Sequence, residues 1–113
     1  MSKKEDGSKP KENNTNEIVN YLKKNCLSRA KAISGGDLSR MFGCNKRELR
    51  NKINFLRCQG NPICSGTEGY WYAGSKEDIA DTIEYLTAWM KGMNKAVVSL
   101  RRLLDNQMIL EDY

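Results

Sequence analysis

Apolar residues recur at helical spacing along most of this chain and at strand spacing over one short stretch. Ile18, Val19, Leu22 and Tyr21 mark a first helix, capped by Thr15 or Asn16 and ending around Asn25. Leu38, Met41 and Phe42 give the inner face of a short second helix that Ser34 caps and Gly43 ends, in the left-handed position glycine favours. Only Cys44 and Asn45 follow before periodicity resumes. Asn45 is a good cap, and Leu49, Ile53 and Leu56 recur at four and three residues. Two helices joined by so short a Gly-containing turn form a helix-turn-helix. With those three residues inward, Lys46, Arg47, Arg50, Asn51 and Asn54 fall mostly on the outward side, and Arg57 suits the C-terminal end of the helix dipole.

After Gly60, Pro62–Ser65 and Tyr70–Ala73 read as two short strands, joined through Gly66-Thr67-Glu68-Gly69 as a hairpin. Tyr70, Trp71 and Tyr72 have the chemistry to stack on bases of a single strand. The favoured reading is that alternate members of the strand fill the core while Trp71 covers its outer side.

Ser75-Lys76-Glu77-Asp78 opens a long helix by the Ser-x-x-acid signature. Ile79, Ile83, Leu86, Met90, Met93, Val97, Leu100 and Leu104 follow in unbroken steps of four and three, the heptad of a coiled-coil seam. Gly92 is its one weak residue. Ile79 and Ile83 are expected to pack on the chain's own domain. Residues 76 to 104 would span roughly 43 Å as a helix, more than so small a domain covers. Leu86, Met90, Met93, Val97, Leu100 and Leu104 are therefore expected to meet another chain. A homodimer is favoured over docking to a different protein, although methionines make an adaptable seam.

The expected fold class is mainly α with a small β-hairpin: a winged helix-turn-helix followed by a long C-terminal helix, a candidate coiled coil. The expected domains are a polar tail over 1–14, the winged unit over 15–74, the long helix over 75–106 and a flexible end over 107–113.

Charge sharpens this. The 113 residues carry a formal +5, and a hydrophobic fraction of 39% leaves part of the chain outside a core. Residues 17 to 75 hold ten Lys and Arg against four acidic residues, a net of +6. The flanking segments contribute +1 and −2. The excess lies on the helix-turn-helix and not in the lysine-bearing tail, which points to a polyanion as partner. No apolar run is long enough to span a membrane, and no hydrophobic stretch follows the N-terminal lysines as a signal peptide requires. Cytoplasmic location is expected.

Cys26, Cys44, Cys58 and Cys64 form no CxxC pair and there is no histidine, so neither a zinc site nor another metal or cofactor is expected. The four are expected to be reduced, small apolar side chains. Cys44, beside Lys46 and a helix start, is the best candidate for a reactive thiol, but no base accompanies it. With no Gly-rich phosphate loop and no nucleophile elbow, no enzymatic activity is expected.

Residues 34 to 73, SGGDLSRMFGCNKRELRNKINFLRCQGNPICSGTEGYWYA, resemble the winged helix-turn-helix domain of biotin-repressor-type regulators. The resemblance is carried by Ser34-Gly35, by Gly43 at the turn, and by Leu49, Ile53 and Leu56 in the recognition helix. Gly60-Asn61-Pro62-Ile63 leading into the wing and Gly69-Tyr70 at its return also match. The segment from Gly69 to Leu104 further resembles the end of small phage- or prophage-encoded helix-turn-helix proteins. No ligase or effector domain follows, so the biotin chemistry of the larger regulators is not implied.

The resemblance implies double-stranded DNA as ligand, with the second helix of the motif in the major groove and the wing on adjacent backbone. Carried over by position, Asn45, Lys46, Arg47, Arg50, Asn51 and Asn54 face the DNA. Arginine suits guanine O6 and N7, and asparagine suits adenine N6 and N7. Lys46 and Arg40 are expected to meet phosphates, as are Ser65 and Thr67 from the wing. Glu68 at the wing tip departs from that pattern, because phosphate repels a carboxylate. A role in phage or prophage transcription or replication, in the bacterial nucleoid or an infected cell, is implied by the resemblance alone.

Overall fold

The computed structural model describes residues 11–106, with side chains from residue 15 onward. Of the tail expected over 1–14, residues 1–10 lie outside the described residues and residues 11–14 are the first turn of a helix. The expected end over 107–113 also lies outside the described residues. The chain is mostly helical with one two-stranded antiparallel hairpin, and it divides between Thr82 and Ile83 into two compact units.

The first unit contains α1 (Lys11–Asn25), α2 (Gly35–Met41), α3 (Lys46–Cys58), β1 (Ile63–Gly66) and β2 (Gly69–Tyr72), in the expected order. It also holds the start of α4 (Lys76–Asn106). α1 begins before the expected cap at Thr15 or Asn16. Lys11 and Glu12 are good helix formers, and Thr15 is a buried residue inside the helix.

Ser34 caps α2 by accepting the Asp37 amide at 3.0 Å. Asn45 caps α3 in a reciprocal box: its side chain accepts the Glu48 amide at 2.8 Å, and the Glu48 carboxylate accepts the Asn45 amide at 2.9 Å. Between them Gly43 takes φ 67°, so the turn closes without Cβ strain.

Ile18 and Leu22 of α1, Leu38 of α2, and Leu49, Ile53 and Leu56 of α3 meet Ile63, Cys64 and Trp71 of the hairpin in one core. The register sets Cys64 opposite Trp71, and both are buried. Trp71, 0% exposed, is thus the inward residue of its strand, contrary to the expectation that it covers the outer side. Tyr70 and Tyr72, on the other face, are the half-buried ones. In a four-residue strand with three consecutive aromatics the alternation has no polar phase to read, and a shift by one inverts it.

The link between α1 and α2 supplies a further edge to the hairpin. The amides of Ser28 and Ile33 donate to the carbonyls of Tyr72 and Tyr70, each at 2.9 Å. In return Tyr72 and Tyr70 donate to the carbonyls of Cys26 and Ile33, each at 2.8 Å. The outer edge of β2 is thereby covered and its backbone groups are paired.

The second unit begins at Ile83 and contains the remaining turns of α4. Ile79, expected to pack inward, is 40% exposed at the end of the first unit, and Ile83 is 59% exposed. The buried residue of the opening turns is Thr82, whose hydroxyl is held by the hairpin backbone at Ser65. These turns therefore meet the hairpin through a polar contact at Thr82.

Candidate nucleic-acid interface

The capping box fixes where α3 starts, and the burial of Leu49, Ile53 and Leu56 fixes its rotation. Lys46, Arg47, Arg50, Asn51 and Asn54 are consequently all exposed. Among the described residues none of the five takes part in a salt bridge. The only carboxylate of α3, Glu48, is taken up by the cap. The outward face therefore presents three cations and two amides, with the exposed carboxylate of Glu48 held at its N-terminal end by the cap. Such a set matches phosphate oxygens and the major-groove edges of purines.

The remaining sequence-derived candidates divide. Thr67 is exposed in the two-residue turn between β1 and β2, where its hydroxyl is open to a ligand. Arg40 is exposed on α2 but pairs with Asp37 one turn earlier. Asn45 is exposed, with its side-chain oxygen committed to the cap. Ser65 does not belong to the set. It is buried, and its hydroxyl accepts from Arg57 Nη2 at 3.0 Å. Burial does not alternate along β1: Ser65, on the face opposite Cys64, is covered as well, with Arg57 on its hydroxyl and Thr82, whose Oγ1 accepts the Ser65 amide, on its backbone.

Three residues acquire roles that sequence reasoning did not assign. Arg57 turns away from the outward face, donating from Nε to the Ile63 carbonyl at 2.7 Å as well as to Ser65. Burial lowers the pKa of its guanidinium from the usual value. Arg29 lies 5.0 Å from the centre of the Trp71 ring and pairs with Glu68 at 3.7 Å and Asp81 at 3.8 Å. The carboxylate that looked unfavourable at the hairpin tip thus has a cation of its own beside it. Phe55, 46% exposed, follows Asn51 by one helical turn and adds an apolar element to the same face of α3. Its position four residues after Asn51 was the available signal.

No family model, curated protein or solved structure matches this chain.

Of the expected seam, Leu86 is half-buried, while Met90 and Met93 are each 67% exposed and Val97, Leu100 and Leu104 are exposed with them. Trp89, Val98 and Leu103 add further exposed apolar surface. No described helix is long and apolar enough to cross a membrane. Among the described residues no three His, Cys, Asp or Glu side chains gather as a metal site needs. Cys58 is exposed, Cys44 half-buried, and Cys26 and Cys64 lie in the core.

Proposed function

We propose that this chain is a DNA-binding protein of winged helix-turn-helix type. In this reading α3 enters the major groove of double-stranded DNA and the β1–β2 turn lies against the neighbouring backbone. The observation that carries it is the exposed face of α3, with Lys46, Arg47, Arg50, Asn51 and Asn54 clear of the core and the helix's one carboxylate, Glu48, bonded in the cap. Lys46 and Thr67 contact phosphates and set the register. Arg47, Arg50, Asn51 and Asn54 read base edges, and Phe55 meets thymine methyls. The protein acts by recruitment to or occlusion of a DNA site, with no catalytic step. A place in phage or prophage transcription or replication rests on the resemblance alone.

Fluorescence anisotropy on mixed-sequence duplex DNA at low and moderate salt tests the reading. Binding should weaken steeply with salt, by about 0.9 in the log–log slope for each phosphate contact. The Arg47→Ala/Arg50→Ala variant should bind far more weakly. Wild-type protein that stays unbound at low salt would sink the proposal.

The exposed apolar stripe of α4 favours a second reading, in which the first unit is a scaffold and the helix docks to a protein partner. In that case Met90→Asp or Val97→Asp abolishes function while Arg47 and Arg50 are dispensable.

A further inference from the structure

The apolar face of α4 is wider than a simple two-residue seam and almost free of charge. In heptad terms Ile83, Met90, Val97 and Leu104 occupy position a, and Ile79, Leu86, Met93 and Leu100 occupy d. Thr82, Trp89, Ala96 and Leu103 fall at g, Thr82 being buried against the hairpin of its own chain, and Ala80, Thr87, Asn94 and Arg101 fall at e. Arg101 is therefore the only charged side chain at any a, d, e or g position between Ile79 and Leu104. The other charges are arranged along the axis. Residues 76 to 91 carry Lys76 and Lys91 against Glu77, Asp78, Asp81 and Glu84, a net of −2. Residues 92 to 106 carry Lys95, Arg101 and Arg102 against Asp105, a net of +2.

We infer that α4 pairs with α4 of a second copy of this chain in antiparallel orientation. Three features select that occupant and that direction. The other charges of residues 77 to 105 lie at b, c and f, away from a paired helix, except that Glu77 and Glu84 at b flank an e position and come within reach of Arg101 of an antiparallel copy. The layers also match. Antiparallel packing places Ile83 opposite Leu100, Leu86 opposite Val97, and Met90 opposite Met93 of the second copy, so every layer joins an a residue to a d residue. The flanks match as well. Antiparallel g positions face one another, which seats the large, 62% exposed Trp89 over Ala96 of the second copy. A parallel pair would instead set Trp89 against Asn94. Arg101 meets Ala80 of the second copy between Glu77 and Glu84 of that helix, acidic neighbours that a parallel pair denies it. The self-association does not rest on the DNA reading, since no residue of α3 takes part.

Cysteine cross-linking on the full chain tests both parts of the inference, in a Cys58→Ser background that removes the exposed native thiol. Chains carrying Ile83→Cys are mixed with chains carrying Leu100→Cys, oxidised, and the products identified by mass spectrometry. The 83–100 disulfide should predominate. Two copies of position 83 lie about 26 Å apart along the antiparallel axis, too far to bridge. Products joining 83 to 83 or 100 to 100 would mean a parallel pair and overturn the inference. Sedimentation equilibrium of the unmodified protein keeps the test independent of the cysteine variants. A mass of twice the 12.9 kDa chain is expected, reduced to one chain by Val97→Asp, and a wild-type monomer would refute the pairing. Both readouts follow mass and cross-link position alone, so a failure of the DNA reading and a failure of the pairing are told apart.

Discussion

The hydroxyl of Thr82 sits against the backbone of Ser65, accepting its amide at 3.1 Å and lying 3.4 Å from its carbonyl oxygen. Both residues are buried, so this side chain completes a hydrogen bond that water cannot replace. Thr82→Val keeps the shape and removes the partner, leaving a buried amide unpaired. The expected cost is about 1–3 kcal/mol, read as a lower urea midpoint, with Thr82→Ser recovering most of it. A valine variant as stable as wild type would show that the bond does not anchor the opening turns of α4.

Two arginines ten residues apart on α3 should behave oppositely. Arg57 holds the hairpin through the Ile63 carbonyl and Ser65. Arg57→Met is expected to lose about 2 kcal/mol of stability, as for a hydrogen bond to a charged group. Arg47→Ala, on the exposed face, should change stability by less than about 0.5 kcal/mol while weakening DNA binding. Denaturation curves and DNA titrations on the same two proteins separate the roles.

Backbone geometry makes a paired prediction. A Cβ on Gly69, at φ 121°, would come 2.1 Å from the Ile33 carbonyl oxygen, so Gly69→Ala should destabilise strongly or prevent folding. Ser28 holds φ 84° with a side chain present, a strained conformation for a residue other than glycine. Ser28→Gly should therefore be neutral or stabilising by about 1 kcal/mol, since relief of strain is offset by a more flexible unfolded chain. Thermal melts of both variants decide it.

The core thiols bring a pH dependence. Burial raises the pKa of Cys26 and, as its largest cause, that of Cys64 above the ordinary value of 9.0. A group whose folded pKa is raised contributes stability that is fully present below the unfolded pKa. That contribution is lost as pH rises through the folded value. Stability should hold below pH 9 and fall above it, and a Cys26→Ala/Cys64→Ala variant should show a shallower alkaline loss despite a lower plateau. Thiol labelling at neutral pH should modify Cys58 first and Cys26 and Cys64 only on unfolding.

The parts of this fold written in local chemistry were legible in the sequence. The Ser34 and Asn45 caps, the Gly43 turn and the inner face of α3 all follow from spacing or from a single side chain's hydrogen bond. What escaped depends on partners distant in the chain. Trp71 shares the inward face with Cys64, its partner across the hairpin, and Ser65 is unavailable to a phosphate because it is buried and Arg57 engages its hydroxyl. The heptad of α4 marked an apolar stripe but did not show that the opening turns meet the hairpin through Thr82, a hydroxyl bonded to the Ser65 backbone far away in sequence. In the candidate interface, the outward residues of α3 were readable from the phase of its core. The pairing of Glu68 with Arg29 was not, since it joins the hairpin tip to the link before α2.

The most direct test of the central claim is an NMR titration of the labelled protein with a mixed-sequence duplex, followed at backbone amides and at Arg and Asn side chains. Shifts confined to residues 45 to 55 of α3 and to Thr67 in the hairpin turn are the predicted result. No shifts at low salt, or shifts that avoid Arg47, Arg50, Asn51 and Asn54, would contradict the account.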